Sequence, residues 1–367
     1  MIEFRPATFD SRQVKPGMLF VALKGEKVDG RDFIPQALAA GAAGVVEGLE
    51  ELQSLAARYR QTLKAKVVAV TGSAGKTTAK ELLKAFLSRL GKTHATEGNF
   101  NNHIGLPMTI LNCPPDADFL VLEMGSNHPG EIAALCDIAR PDVGVVTNVG
   151  TAHMEFFGSR EGIAREKGEL LKRSKIAFSA KDADYLAGEV DTKAQWLEEL
   201  MASVLPGSHN VANAALAYAA ASYFGLSPAG AAEALKDFSL PGARWRKLEK
   251  WGATFIDDSY NASPDSMIAA LDAFAATSPA SRHIAVLGDM LELGEDSAEY
   301  HRRVFAHAMS KKFHLVIGVG EQSSKCICNL AYRRLKDLKK KFWVDVSAGD
   351  VVLLKASHSI GLGELLQ

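Results

Sequence analysis

The stretch Val68–Glu81, VAVTGSAGKTTAKE, reads as a phosphate-binding loop that lacks one glycine. A full loop of this kind is GxxxxGK[ST], and counting back from Gly75 puts Val70 where its first glycine would stand. The flanking segments supply the context that such a loop requires. The apolar KVVAV, Lys66–Val70, predicts a strand buried on both faces, and KTTAKELLKAFLSRL, Lys76–Leu90, predicts an amphipathic helix. A glycine turn between the two faces backbone N–H groups and the positive end of the helix toward an anion. In that setting Thr71, Gly72, Ser73, Ala74, Gly75 and Thr78 form the cradle. Lys76 reaches the β- and γ-phosphates of a nucleotide, and the Thr77 hydroxyl ligates Mg²⁺. A glycine-rich turn with a surface lysine is the plainer alternative, and the conjunction of strand, GKTT and helix argues against it.

Outward from the loop, apolar runs alternate with helical segments. DFLVLEMG (Asp118–Gly125) and DVGVVTNVG (Asp142–Gly150) predict strands, and PGEIAALCDIA (Pro129–Ala139) predicts a helix, as in a βα-repeating domain with a parallel sheet. Ligands of such sheets bind beyond the carboxyl ends of the strands, where this pattern puts Glu123, Asn148 and His153. Glu123 beside a phosphate loop is a candidate metal ligand, and His153 a candidate for metal or phosphate. Lys167 in REKGEL falls on a helix, where residue type alone makes it one more exposed lysine. The segment THATEGNFNNHIGLP, Thr93–Pro107, has no periodicity and is rich in Asn, Gly and His. It reads as a loop whose Asn99, Asn101 and Asn102 offer donors and acceptors to a polar substrate.

The 367 residues are too many for one typical domain. Residues 1–64 form a small α/β region in which DFIPQALAAGAAGVVEG (Asp32–Gly48) predicts a helix and a short strand. Residues 65–240 are the phosphate-loop domain. Near Leu240-Pro241-Gly242 a second alternation begins, with ATFIDDSY, HIAVLGDM, HLVIGVG and DVVLLKAS as strands, so that residues 241–367 read as a Rossmann-like domain. A net charge of -1 argues against nucleic acid or a membrane surface as a partner chosen by bulk charge. The basic run RRLKDLKKK, Arg333–Lys341, has helical spacing and reads as a solvated helix face. No apolar run reaches spanning length, the N-terminal MIEFRPATFDSR has no apolar core, and the four cysteines (Cys113, Cys136, Cys326, Cys328) lack zinc spacing. These features lead us to expect a cytoplasmic protein without membrane insertion.

Together the motifs resemble those of the Mur ligases, ATP-dependent amide-forming enzymes of peptidoglycan synthesis, whose loop reads TGxxGKTT as Thr71–Thr78 does. DSRQVKPGMLFVALKGEKVDGRDF, TEGNFNNHIGLP, LEMGSNHPGEI, TNVGTAHMEFFGS, EKGE, SHNVANAALA, DDSYNASPDSM and LGDMLELGE follow in family order through all three domains. The last two stretches are similar to those of the members that add D-alanyl-D-alanine to UDP-N-acetylmuramoyl-tripeptide. The resemblance implies an acyl-phosphate mechanism with ATP, two Mg²⁺ ions and small-molecule substrates, serving cell-wall growth and division; we expect the chain to act as a monomer. It implies that Lys76 binds phosphate, that Thr77, Glu123, His153 and Lys167 hold metal, and that Lys167 is carbamylated. It assigns Asn210 and Asn213 to the adenine, and Arg244, Asp258, Tyr260 and Asn261 to the C-terminal domain's part in nucleotide binding. Ser11 and Arg12 go to the uridine-nucleotide substrate. The chain departs from the family pattern at Ser263, Ala356 and His358, where Asn, Gly and Arg are expected.

Overall fold

The computed structural model describes residues 5–151, 154–180, 190, 195–277 and 281–366, leaving aside the Val344 side chain. Three sheets organise the chain. The first pairs β1 (Ala7–Thr8), β2 (Leu19–Ala22) and β3 (Gly44–Glu47) in parallel. The second contains β4 (Lys66–Thr71), β5 (Thr93–Ala95), β6 (Phe119–Glu123), β7 (Val143–Val146) and β8 (Ile176–Ser179). Its order is β5-β6-β4-β7-β8, parallel throughout. The third holds β9 (Arg246–Lys250), β10 (Ala253–Asp257), β11 (His283–Gly288), β12 (Leu315–Val319), β13 (Leu330–Tyr332) and β14 (Val351–Lys355). It runs β13-β12-β11-β14-β10-β9, and only β9 is antiparallel.

The central strands are apolar because helices cover both faces of the sheet. All five residues of β6 and all four of β7 are buried. The core around β4 and β6 also takes in Leu52, Ala56 and Tyr59 from the helix Leu49–Thr62, and Ile132 and Leu135 from the helix Glu131–Ala139. A separate core lies around Phe255, Val286, Ile317 and Leu354 of the third sheet. The chain packs into two compact units. One comprises residues 1–148, 164–192 and 213–236, and the other residues 149–163, 193–212 and 237–367. No described helix is long and apolar enough to cross a membrane.

Three segments differ from their sequence reading. Thr93–Ala95, expected in a loop, is strand β5, paired with β6 along one edge. The same expected loop ends in a helix, Gly105–Leu111, whose start is capped by Asn102 Oδ1, accepting from the N–H groups of Ile104 (3.1 Å) and Gly105 (2.9 Å). In RRLKDLKKK only Leu335–Lys339 is helical.

Ala356, where the family pattern has Gly, is accommodated by one close packing contact. Ala356 is fully buried, and a Cβ on Gly288 would lie 2.6 Å from the Ala356 methyl. The extra methyl at 356 therefore fits because position 288 has none. We expect Gly288→Ala to cost about 1–3 kcal/mol through overpacking. Adding Ala356→Gly should recover most of that loss, measured as a double-mutant cycle by urea unfolding.

Candidate functional site

Val70 is a fully buried residue of β4, paired with Glu123 and Val145, so the loop begins only after the strand is complete. Gly72, at φ +149, leaves no room for a side chain, since a Cβ would lie 1.9 Å from Thr147 Oγ1. The Ser73 N–H donates to the Asn148 carbonyl (3.2 Å) and the Ala74 N–H to Asn148 Oδ1 (3.0 Å). Thr147 Oγ1 and Asn148 Nδ2 donate to the Ala74 carbonyl at 2.5 and 3.1 Å. Gly75 takes a left-handed conformation (φ +79) and opens the helix Lys76–Leu87. The N–H groups of that first turn have no acceptor within the helix and can donate to an anion. Lys76 Nζ reaches back across the loop to the Gly72 carbonyl at 2.8 Å. Asn213 lies against the loop, with its amide oxygen 2.5 Å from where a Gly75 Cβ would be.

Glu123 ends β6 beside the loop and is 2% exposed. Its Oε1 accepts from Asn101 Nδ2 at 2.8 Å, and its N–H donates to Thr96 Oγ1 at 3.0 Å. The buried Oε2 has no hydrogen-bond partner among the described residues. A buried carboxylate oxygen left unpaired is costly unless a cation meets it. Lys80, 1% exposed, donates to the Thr96 carbonyl at 2.8 Å and pairs with Glu81, fixing the strand end that orients Glu123. Among the described residues no three His, Cys, Asp or Glu side chains gather as a metal cluster. His153 lies outside the described residues. One carboxylate and the Thr77 hydroxyl suit Mg²⁺, which keeps waters and substrate phosphates as its other ligands.

Lys167 is 2% exposed, on the helix Arg160–Arg173, which corrects the reading from residue type that made it a surface lysine. Its Nζ donates to Ser126 Oγ at 2.6 Å. Burial, with repulsion from Lys76 second, lowers its pKa to about 7. The neighbouring Glu166 accepts from the N–H groups of Gly130 (2.7 Å) and Ile132 (2.8 Å), anchoring this helix to the start of the helix Glu131–Ala139. Thr77, Glu123 and Lys167 thus belong to one unit, around one end of one sheet.

Ser11 is buried, its hydroxyl donating to Gln36 Oε1 at 2.9 Å, while Arg12 extends into solvent clamped by Asp10 through bonds of 2.9 and 2.8 Å. Asn99 is exposed. In the second unit Asn210 is buried and donates to the Pro206 carbonyl at 2.8 Å. The Arg244 guanidinium lies 3.5 Å over the Tyr260 ring. Asp258 follows β10, accepting from Lys355 Nζ at 2.6 Å, and Lys355 also donates to the Asn261 carbonyl at 3.1 Å. Lys355, Lys80 and Glu166 were missed because their partners are remote in sequence. A lysine closing an apolar strand, as in DVVLLK, was the available signal for Lys355.

His209 stands beside Asn210, its ring 2.6 Å from where a Gly207 Cβ would be. Burial lowers its pKa to about 4. A folded-state pKa below the unfolded value gives stability that is present above pH 6.5 and lost as pH falls through about 4. Relative to His209→Asn, the wild type should therefore lose about 2 kcal/mol between pH 7 and pH 4.5 in urea melts. Parallel pH profiles for the two proteins would remove this assignment.

Sequence profiles of three families match the chain. These are "Mur ligase family, catalytic domain" over residues 6–90, "Mur ligase middle domain" over 70–198 and "Mur ligase, glutamate ligase domain" over 243–358. A UDP-N-acetylmuramoyl-tripeptide–D-alanyl-D-alanine ligase of Bacillus subtilis (strain 168) is 34% identical across 98% of this chain and 91% of its own length. The ligase of the same name from Escherichia coli (strain K12) is 36% identical across 86% of this chain and 81% of its own. Among solved structures, MurF from Acinetobacter baumannii aligns with a TM-score of 0.85 at 28% identity, covering 100% of this chain and 93% of that one. A MurF ligase from Thermotoga maritima in complex with ADP aligns at 0.82 and 28% identity, covering 100% and 97%.

Proposed function

The chain belongs to the Mur ligase family, and we propose that it uses ATP to join D-alanyl-D-alanine to UDP-N-acetylmuramoyl-tripeptide, acting as a cytoplasmic monomer. The observation that carries this reading is the grouping, at one sheet edge, of a phosphate loop, a buried unpaired carboxylate oxygen and a buried, weakly basic lysine. Similarity to ligases of that activity along nearly the whole chain supports it.

A peptide carboxylate is a poor electrophile. In the proposed reaction one of its oxygens attacks the γ-phosphorus of ATP, the bond to the β-phosphate oxygen breaks, and ADP leaves. The resulting acyl phosphate is attacked at carbon by the dipeptide amine, which loses a proton. The tetrahedral intermediate then expels phosphate and leaves the amide. Anions meet at each step, so the chain must supply fixed positive charge. Lys76 and the N–H groups that open the helix Lys76–Leu87 do so without reorganising. Thr77 and Glu123 would hold Mg²⁺, and the His153 and Lys167 positions are assigned to metal on the family resemblance. The ion, when bound, neutralises phosphate charge and polarises the transferring phosphoryl group.

Lys167 needs a change of charge to serve there. With a pKa of about 7, a sizeable fraction of its amine is neutral at physiological pH. The lone pair of that amine adds to CO₂, a proton leaves, and a carbamate anion results. The change removes the repulsion from Lys76 and gives the site a second anionic oxygen donor. Ser126, bonded to Nζ, holds the nitrogen in place for this step.

The reading is tested by incubating the protein with ATP, Mg²⁺ and UDP-N-acetylmuramoyl-tripeptide, with and without D-alanyl-D-alanine. We expect ADP, phosphate and an amide of the summed mass only when the dipeptide is present. Phosphate release indifferent to the dipeptide, or no amide product, would overturn it.

A further inference from the structure

The mechanism leaves unused an aromatic and basic patch at one pole of the third sheet. Trp251 and Trp343 are 56% and 40% exposed, and their ring centroids are 3.8 Å apart. Behind them the fully buried Phe255 and Phe342 tie the pair to the core, with Phe342 4.8 Å from Trp343 and Phe255 6.2 Å from Trp251. Trp251 and Gly252 form the two-residue turn between β9 and β10, with φ of +52 and +74. Turns of this type favour Asn and Gly at both positions. A tryptophan is held there against that preference, with more than half of its surface left in solvent.

The adjoining segment is rich in basic residues. Arg333, Arg334, Lys336, Lys339, Lys340 and Lys341 run directly up to Trp343, against the carboxylates of Asp337 and Asp345 in the same segment. Arg333, Arg334 and Lys339 are engaged with Glu321, Asp337 and Glu364. Lys336, Lys340 and Lys341 are exposed and have no ion-pair partner among the described residues. Lys250 adds a further ammonium 4.2 Å over the Trp251 ring. Glu249, the nearest acidic side chain on β9, is occupied by the Thr254 hydroxyl at 2.7 Å.

Tryptophan is the side chain that partitions to the headgroup layer of a bilayer, and clustered lysines are drawn to its anionic lipids. We propose that this patch docks the protein reversibly on a membrane surface bearing anionic phospholipid. Trp251 and Asp258 lie at opposite ends of β10, so the patch and the Asp258–Lys355 pair are about 23 Å apart along that strand. Net charge conceals the patch, because carboxylates elsewhere in the chain balance it.

The test uses the full chain and vesicles of phosphatidylcholine with or without phosphatidylglycerol. At low salt we expect co-sedimentation only with the phosphatidylglycerol vesicles, with a blue shift of tryptophan emission, both reversed by high salt. Reversing the three free lysines together (K336E, K340E, K341E) should lower partitioning on the order of 100-fold. The pair W251G and W343A should abolish the blue shift, and glycine suits the positive φ at position 251. Amide-forming turnover in solution should be unchanged in both variants, which separates this proposal from the activity itself. Absence of binding to anionic vesicles would overturn it, as would equal binding to neutral ones. Self-association through the tryptophans, or binding only to a soluble polyanion, would likewise overturn it.

Discussion

Replacing Lys167 by alanine is expected to cut amide formation on the order of 1000-fold or more while leaving the protein folded. The two halves of that expectation have one origin. A lysine 2% exposed, with its pKa lowered to about 7 by burial and by Lys76, is an unfavourable guest in the apo fold. Its removal should leave thermal stability equal or higher, because the buried amine and its repulsion vanish together. Lys167→Arg should fail as completely as alanine, since a guanidinium does not become a carbamate at neutral pH. Protein depleted of CO₂ should regain activity on adding bicarbonate faster at pH 8 than at pH 6, because the neutral amine fraction grows through about pH 7. Wild-type turnover in Lys167→Ala, measured as product amide, would remove the lysine from the chemistry.

Glu123→Gln is the second large effect, expected at 100- to 1000-fold in turnover, with a raised Mg²⁺ requirement. Glutamine keeps the shape and can still accept from Asn101 through its amide oxygen, so the strand end should stay in place. It exchanges the buried, unpartnered charged oxygen for a neutral amide group, which is cheaper to bury, so the fold should lose little by it. A variant that is as stable as the wild type yet slow, and that is partly restored by higher Mg²⁺, distinguishes a ligand from a structural carboxylate. Unchanged dependence on Mg²⁺ would contradict the assignment.

What could be read from the sequence divides along physical lines. Strands β4, β6, β7, β10, β11, β12 and β14 announce themselves as apolar runs because both their faces are covered. Strand β9, RKLEK, does not, since an edge strand with polar side chains carries no such pattern. Strand β5 has only three residues, too few for any periodicity to register. In the candidate site the loop, Glu123 and their shared sheet edge follow from local pattern alone. The burial of Lys167 does not, because its helix shows nothing in REKGEL to say which face turns inward. Resemblance to a family supplied that residue, and its burial supplies the physical reason. Asn148 was expected at the same sheet edge, and its side chain braces the loop backbone there through Ala74. Lys80 and Lys355 bind partners 16 and 97 residues away, a relation that spacing in one sequence does not encode.

The central claim is that ATP activates a substrate carboxylate rather than being hydrolysed, and the fate of one oxygen tests it. UDP-N-acetylmuramoyl-tripeptide labelled with ¹⁸O in the reacting carboxylate is turned over with ATP, Mg²⁺ and D-alanyl-D-alanine in unlabelled water, and the phosphate and amide are weighed by mass spectrometry. An acyl phosphate requires that one labelled oxygen leave with the phosphate while the other stays in the amide carbonyl. Phosphate carrying only oxygen from water or ATP would contradict the account.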